Sequence, residues 1–383
     1  MGDGEISLMT SMAPEQEFET QDLMINMGPQ HPATHGVFRM VLQVDGEVVR
    51  DVVSHIGYMH RGGEKLSETM DFRQGIGFMD RTEYLAQFNA ELSYVMAVEK
   101  LMDIEVPERS QWIRMILCEL NRLSSHFMFT GAFGTDVGVF GTGFTYAFRE
   151  RENILDLFEE ITGDRMMYAY FRPGGLAWEV TDNFVARVRE VLNVSKQGIK
   201  DMDGLLTENE IFKARTQGVG VISAADAIDW GSTGPVLRAS GVPLDLRRTE
   251  PYLKYAEVDF DVPVGKVGDV YDRWLVRIEE MRQSVRIIEQ CLTKLQPGPI
   301  LPERMPRMLR TPPGEVYLRT EAPRGEYGIY MVSKGGNRPH RLKIRSACFA
   351  NLQALRDMTI GSYVADAVVI LGSLDIVLCE VDR

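Results

Sequence analysis

The sequence predicts an α+β fold: an N-terminal antiparallel β-meander, a central helical bundle and a C-terminal β/α segment. Three observations carry that prediction. Apolar residues alternate through Val37–Val44 and Val48–Val53 on either side of an Asp45-Gly46 hairpin signal. Apolar stripes of helical period fill the middle of the chain. Strand-like patterning returns only after a crossing, Pro297–Pro313, that carries six prolines.

In chain order, Leu23–Met27, Val37–Val44 and Val48–Val53 read as three strands, with the Gly28–Gly36 loop joining the first two. After Gly57-Tyr58-Met59-His60-Arg61-Gly62-Gly63 the periodicity turns helical. Asp80 is expected to cap a helix whose stripe is Tyr84, Phe88, Leu92, Val95 and Leu101. Pro107 is expected to start another, carrying Ile113, Ile116, Leu120, Leu123 and Phe127. Further helices are expected over Tyr146–Ile161, from Thr181-Asp182 onward, and over Asp269–Leu295. Gly218–Gly241 reads as an irregular excursion with a short helix at Ala224–Asp229. Strands are expected at Val316–Thr320, Tyr327–Ser333 and Arg341–Ser346, then a helix near Asn351–Met358 and an apolar tail. The boundaries that follow are a mobile arm over 1–18, the meander over 19–58, the bundle over 59–296, and a linker with the C-terminal segment over 297–383.

Composition narrows the function. A chain of 383 residues with 44% hydrophobic content can bury a substantial core. Its net charge of −13 disfavours nucleic acid or an anionic membrane surface as the main partner. Cys118, Cys291, Cys348 and Cys379 lie far apart and form no Cys-x-x-Cys pair, which supports neither a disulfide framework nor a self-contained metal site. The start of the chain lacks a basic-then-apolar secretory pattern. No run reaches the roughly twenty apolar residues needed to span a bilayer; Val364–Cys379 is broken by Asp366 and Asp375.

The densest cluster of chemistry-bearing residues is Gly28-Pro29-Gln30-His31-Pro32-Ala33-Thr34-His35-Gly36. Its prolines exclude a regular helix and its glycines permit sharp turns, so an imidazole here is held out from the sheet. His31 and His35 have the spacing of a helical zinc pair, but Pro32 and the lack of a nearby acidic or cysteine ligand argue against metal. A turn-capping role and a functional role both stay open for these histidines. Met79-Asp80-Arg81-Thr82-Glu83-Tyr84 sets Arg81 and Tyr84 three apart, on one face of a helix start. Phe148-Arg149-Glu150-Arg151-Glu152 reads as a solvated helix face laced by ion pairs. Asp136, within Gly134-Thr135-Asp136-Val137-Gly138, is expected between two helices, where an apolar setting demands a partner such as arginine or histidine.

The His loop, His60-Arg61-Gly62, Phe148–Glu152, Arg172-Pro173-Gly174-Gly175, Leu237-Arg238, Ser240-Gly241, Leu246-Arg247 and the closing Glu380-Val381-Asp382-Arg383 together resemble one family. It is the D subunit of the proton-pumping NADH:quinone oxidoreductase, respiratory complex I, and the motifs span nearly the whole chain. The resemblance implies a fold like the large subunit of nickel–iron hydrogenases, from which that family descends. A hydrogenase holds its metals on two Cys-x-x-Cys pairs; Arg61-Gly62-Gly63-Glu64 and Gly372-Ser373-Leu374-Asp375 stand near those places here, without thiolates.

What the resemblance implies is a quinone cavity shared with a sister subunit that carries the terminal iron–sulfur cluster, and a chain that holds no cofactor and is not active alone. His35 and Tyr84 would bind the quinone head group, with Asp136 as the partner of the histidine. His31, Arg61, Arg81 and Met167 would form the cofactor-binding set, the two arginines beside the partner's cluster. The implied partners are that sister subunit, the other peripheral-arm subunits and the membrane arm, through which the chain would meet the cytoplasmic face of the cell membrane. The competing class is a non-catalytic scaffold in a related membrane hydrogenase or a ferredoxin- or coenzyme-linked dehydrogenase complex; the His35 and Tyr84 pair favours a quinone site. Three positions depart from the family pattern: Glu83 where aspartate is usual, Ser346-Ala347-Cys348-Phe349 in place of Ala-Pro-Gly-Phe, and Met167 where many members carry histidine.

Overall fold

The computed structural model describes residues 22–31, 36–138 and 141–383. The expected arm over 1–18 and His35, with residues 32–34, lie outside these residues. The N-terminal sheet is the expected meander: β1 (Asp22–Met27), β2 (Arg39–Asp45) and β3 (Val48–His55), antiparallel in that order. Asp45 pairs with Val48, so the hairpin loop is Gly46-Glu47, and Gly46 takes the positive φ of 64° that a tight turn needs. Met40, Leu42 and Val44 of β2 and Val49 and Val52 of β3 are buried. The sheet is sewn to the far end of the chain: Val49 N–H donates to Ser362 O at 2.9 Å and Gly361 N–H donates to Val49 O at 2.8 Å.

The helical middle opens with α1 (Gly63–Ser67), α2 (Ile76–Thr82), α3 (Gln87–Met102), α4 (Glu108–Asp136) and α5 (Thr142–Thr162). Two-residue strands β4 (Phe171–Arg172) and β5 (Gly175–Leu176) precede α6 (Phe184–Met202). The excursion contains α7 (Glu210–Thr216), α8 (Ala224–Asp229), α9 (Pro235–Ala239) and α10 (Leu246–Thr249), with α8 on its expected residues. Helix α11 (Val270–Lys294) begins where Asp269 accepts from Asp272 N–H, as a capping carboxylate does. After the proline-rich crossing come β6 (Thr311–Ala322), β7 (Gly325–Gly336) and β8 (Arg341–Arg345), again antiparallel in order. Strand β6 starts earlier than expected and contains Pro312 and Pro313; it lies at the sheet edge, where a missing N–H costs no ladder bond. The chain closes with α12 (Ala347–Gln353), α13 (Leu355–Thr359), α14 (Val364–Ser373) and α15 (Leu378–Asp382), so the helix expected near Asn351–Met358 is two, broken at Ala354.

Three expectations are corrected. Asp80 is buried inside α2 rather than capping a helix, because the stripe read as one helix is two, separated by residues 83–86. Asp136 is the last residue of α4, which runs on through Gly131 and Gly134; Phe144 and Ala147 of α5 approach Gly131 within 3.3 Å of where a Cβ would stand, so glycine here serves helix contact and not a turn. The Phe148–Glu152 segment is not a solvated face: Glu150 and Arg151 are buried, and Gly198 of α6 has no room for a Cβ beside Glu150.

Helix α4 is the axis of the bundle, packed by α3, α5, α11 and α14. Its apolar residues alone do not explain its position, because Arg114, Glu119, Arg122 and His126 are also fully buried. Arg114 pairs with Glu99 of α3, Glu119 with Arg247 of α10, and His126 bonds Glu280 of α11, while Arg122 pairs with Glu119 on the same helix and donates to the Glu321 carbonyl of β6. Glu119 receives Arg122 Nε at 3.2 Å, Arg247 Nη1 at 3.1 Å, and the hydroxyls of Tyr255 and Ser284 at 2.6 Å each. Arg238 bonds Glu280 of α11 and meets Glu321 of β6 at 2.7 Å, and His126 Nε2 lies 2.9 Å from Glu280. These bonds tie α4 to α10, α11 and β6, and α9 to α11 and β6, so they fix the angles at which those elements meet. Removing one partner of such a pair strands a buried charge. Arg238→Ala should therefore lower stability by about 3–5 kcal/mol. Lys196→Ala, whose partner Glu289 is exposed, should cost under about 1 kcal/mol. Thermal melts of the purified variants check this, and equal losses would contradict the assigned role of the buried network.

Candidate functional site

Helix α2 ends at Thr82 with Glu83 in a non-helical conformation, and α3 begins at Gln87. The break turns Tyr84 and Leu85 onto the wall of a cavity of about 670 Å³. Met128, Phe129, Ala132, Thr135 and Asp136 line it from the C-terminal third of α4, Phe144 and Thr145 from α5, and Asp375 and Ile376 from the link between α14 and α15. Gly36 lines the same cavity, which brings the end of the His loop to its rim. Two sequence-predicted residues, Tyr84 and Asp136, thus share one wall system; the third, His35, is outside the described residues.

The Tyr84 phenol is pushed up to about 12, chiefly by burial and against the opposing charge of Arg324. It is protonated at neutral pH and can donate a hydrogen bond. Beside it, Asp375 adopts a positive φ of 55° and is held by two buried guanidiniums. Arg324 Nη2 lies 3.2 Å from Asp375 Oδ1, and Arg324 Nε donates to the Asp375 carbonyl at 2.9 Å. Arg277 of α11 places Nε 3.9 Å from Asp375 Oδ2 and its guanidinium carbon 4.2 Å from the centre of the Phe129 ring. Burial pushes Arg277 down to about 10, which still leaves it charged at neutral pH. The cavity therefore has largely apolar walls, a protonated phenol at one side and two cations close behind one carboxylate. Sequence reasoning missed Arg277 and Arg324 and met Asp375 as a break in an apolar run and as the absence of a thiolate. The three come from segments with no shared spacing, so no local pattern could have joined them.

The remaining predicted residues lie elsewhere. Arg61 Nη2 donates to the Arg81 carbonyl at 3.0 Å, and Arg81 Nη1 donates to Gly77 O at 2.6 Å. The structure joins these two arginines, but Arg81 is exposed and is not on the cavity wall with Tyr84, because the helix ends between them. Met167 is half-buried with φ 68°. Its loop docks on the helix that carries Arg81: Ala169 N–H donates to Asp80 Oδ2 at 2.9 Å, and burial lifts that carboxyl to about 6. His31 is exposed on its loop. All four cysteines are free and buried; Cys348 Sγ donates to Glu380 Oε2 at 3.1 Å, and Cys379 Sγ stands 4.0 Å from Met59 Sδ.

Comparison with known proteins extends over most of the chain. The family described as respiratory-chain NADH dehydrogenase, 49 kDa subunit, matches residues 136–309 and 303–383. The NADH-quinone oxidoreductase D subunit of Geotalea uraniireducens is 49% identical over 389 aligned positions, covering 95% of this chain and 99% of that protein. The proteins of the same name from Magnetococcus marinus and Desulforamulus reducens are each 47% identical and cover 95% of this chain. From this likeness and the α+β architecture, the chain belongs to the family of respiratory-chain NADH dehydrogenase 49 kDa subunits, the D subunits of NADH-quinone oxidoreductase.

Proposed function

We propose that this chain supplies one wall of the quinone cavity of its NADH:quinone oxidoreductase complex and helps couple quinone reduction to proton translocation. The observation that carries the reading is the convergence of Tyr84, Asp136 and the His-loop residue Gly36 on one cavity with largely apolar walls. Reduction to quinol adds two electrons and two protons, so both carbonyl oxygens need donors that can bond a developing anion and then release a proton. A phenol kept protonated to about 12 meets that need at one oxygen. The His35 imidazole would meet it at the other, oriented by Asp136. The apolar rings and side chains of Phe129, Phe144 and Ile376 suit the face of a quinone ring, and Arg277 and Arg324 behind the wall favour negative charge in the cavity.

In the same reading, Arg61 and Arg81 face the sister subunit's terminal cluster, where positive charge favours the reduced state. No helix among the described residues is long and apolar enough to cross a membrane. We place the chain at the cytoplasmic membrane face, held there by the sister subunit, the other peripheral-arm subunits and the membrane arm.

Tyr84→Phe and His35→Ala should each cost about 1.5–3 kcal/mol of head-group stabilisation, or roughly ten- to a hundredfold in quinone-dependent turnover. Electron transfer from the donor to an artificial acceptor in the same membranes should be unchanged. Parallel loss of both activities would instead mean misassembly and would contradict the site.

Met167 generates a further expectation. An imidazole beside the cluster would take up a proton as an electron arrives, lowering the potential by up to about 59 mV per pH unit across its titration. A thioether cannot, so the terminal cluster beside this chain should have a nearly constant potential between about pH 6 and 8, where histidine titrates. Redox titration of its EPR signal at several pH values measures this, and a full one-proton slope would refute it.

A further inference from the structure

Behind Tyr84, three buried groups from three elements meet. Glu83 lies on the turn between α2 and α3, Cys348 on α12 and Glu380 on α15, and one oxygen or sulfur from each lies within 4.8 Å of the others. Their donors are unequally shared. Glu380 Oε1 accepts from the Ser346 hydroxyl at 2.8 Å and from Cys348 N–H at 3.2 Å, and Oε2 accepts from the Cys348 thiol at 3.1 Å. Glu83 Oε1 accepts from Arg324 Nη1 at 3.2 Å and from Leu85 N–H at 3.3 Å. Glu83 Oε2 is buried and has no donor among the described residues, and it is the one oxygen of the four in that state. A buried acceptor without a donor is costly, whereas the same oxygen carrying a proton becomes a donor with an acceptor beside it.

We infer that Glu83 carries a proton on Oε2 at neutral pH and donates it to the Glu380 carboxylate group, so that Arg324 keeps its charge directed to Asp375 on the cavity wall. The charges around Glu83 support this. Arg324 is the cation bonded to it, and Arg324 also serves Asp375 at 3.2 Å. With Glu83, Glu380 and Asp375 all ionised, three buried carboxylates would crowd that guanidinium, with Arg277, at 3.9 Å from Asp375, the other cation paired to any of them among the described residues. A proton on Glu83 removes the excess. Burial is the largest influence raising the Glu83 carboxyl well above its usual range; Arg324 opposes it, and Glu380 and Asp375 add to the rise. The nearby Tyr84 and Tyr327 phenols and the Cys348 and Cys379 thiols are themselves raised, first by burial, and stay neutral. A cation in place of the proton would stand against Arg324. Glu83 is thus a positioning residue: it acts on the cavity through Arg324 and Asp375.

A carboxyl raised in the folded state holds its proton below that raised pKa and loses it as pH rises through it. Turnover should then fall in the alkaline range, approaching about tenfold per pH unit for one proton. Glu83→Gln reproduces the neutral group: its amide N–H donates to Glu380 and its amide oxygen accepts from Arg324. In the intact complex, this variant should lose one protonated-carboxyl C=O band from the infrared spectrum and should lack the alkaline step seen in the parent. Glu380→Gln removes the acceptor and one carboxylate together, so any band that remains there should stand at a shifted frequency. The inference is overturned if the band survives Glu83→Gln, if it vanishes only in Glu380→Gln, if the alkaline step persists in Glu83→Gln, or if Glu83→Gln fails to assemble because an anion was needed there. The effect on turnover rests on the quinone reading, but the band does not. Unchanged turnover in Tyr84→Phe would remove the quinone reading while leaving the protonation of Glu83 to be decided by the spectrum.

Discussion

Most charges buried in this bundle meet an opposite charge, and that requirement shapes the fold alongside apolar packing; Arg273 instead donates to the Ser373 hydroxyl and the Gly220 and Gly268 carbonyls. A lone ion taken out of water costs several kcal/mol, and only a well-matched partner offsets it. Glu119, Asp245, Glu280 and Glu321 answer Arg122, Arg238 and Arg247 through bonds that run between helices and the C-terminal sheet. His126 stays within the scheme as a neutral ring: burial lowers its pKa against the pull of Glu280. The elements cannot slide independently without breaking a pair. A rigid frame of this kind can hold a cavity open beside it.

The cavity itself arises from a local failure of helix. Residues 83–86 interrupt what would otherwise be one long helix, and the interruption does two things at once. It sends Tyr84 and Leu85 to the cavity and sends Glu83 inward to Arg324 and Glu380. The phenol proposed to bind quinone and the carboxyl inferred to balance the wall's charge are therefore neighbours in sequence that face different environments. In the proposed reading this places the charge control of the site one residue from its hydrogen-bond donor.

Much of this was legible in the sequence where a short-range physical rule applied. The meander followed from alternation and the Asp45-Gly46 turn, and α8 and α11 fell on or within a residue of their expected bounds. The apolar period of Tyr84, Phe88 and Leu92 was real but misleading, because it continues across a break that only tertiary contacts impose. The charged run Arg149–Glu152 misled for the opposite reason: alternating signs read as solvated, while Glu150 and Arg151 are covered by neighbouring helices. Tyr84 and Asp136 were found through family likeness and do share a cavity; Arg277, Arg324 and Asp375 were not, since their meeting is set by distant segments. Two apparently unrelated departures from the family pattern, Glu83 and Cys348, prove to belong to one buried cluster.

The central claim is that this cavity receives the quinone head group. Its most direct test is a cryo-electron microscopy map of the intact complex with a short-tailed quinone bound. Head-group density is expected within hydrogen-bond distance of the Tyr84 hydroxyl, against the Met128 and Phe129 wall. Density that avoids this cavity, or that sits on the exposed side beside Arg61 and Arg81, would contradict the claim.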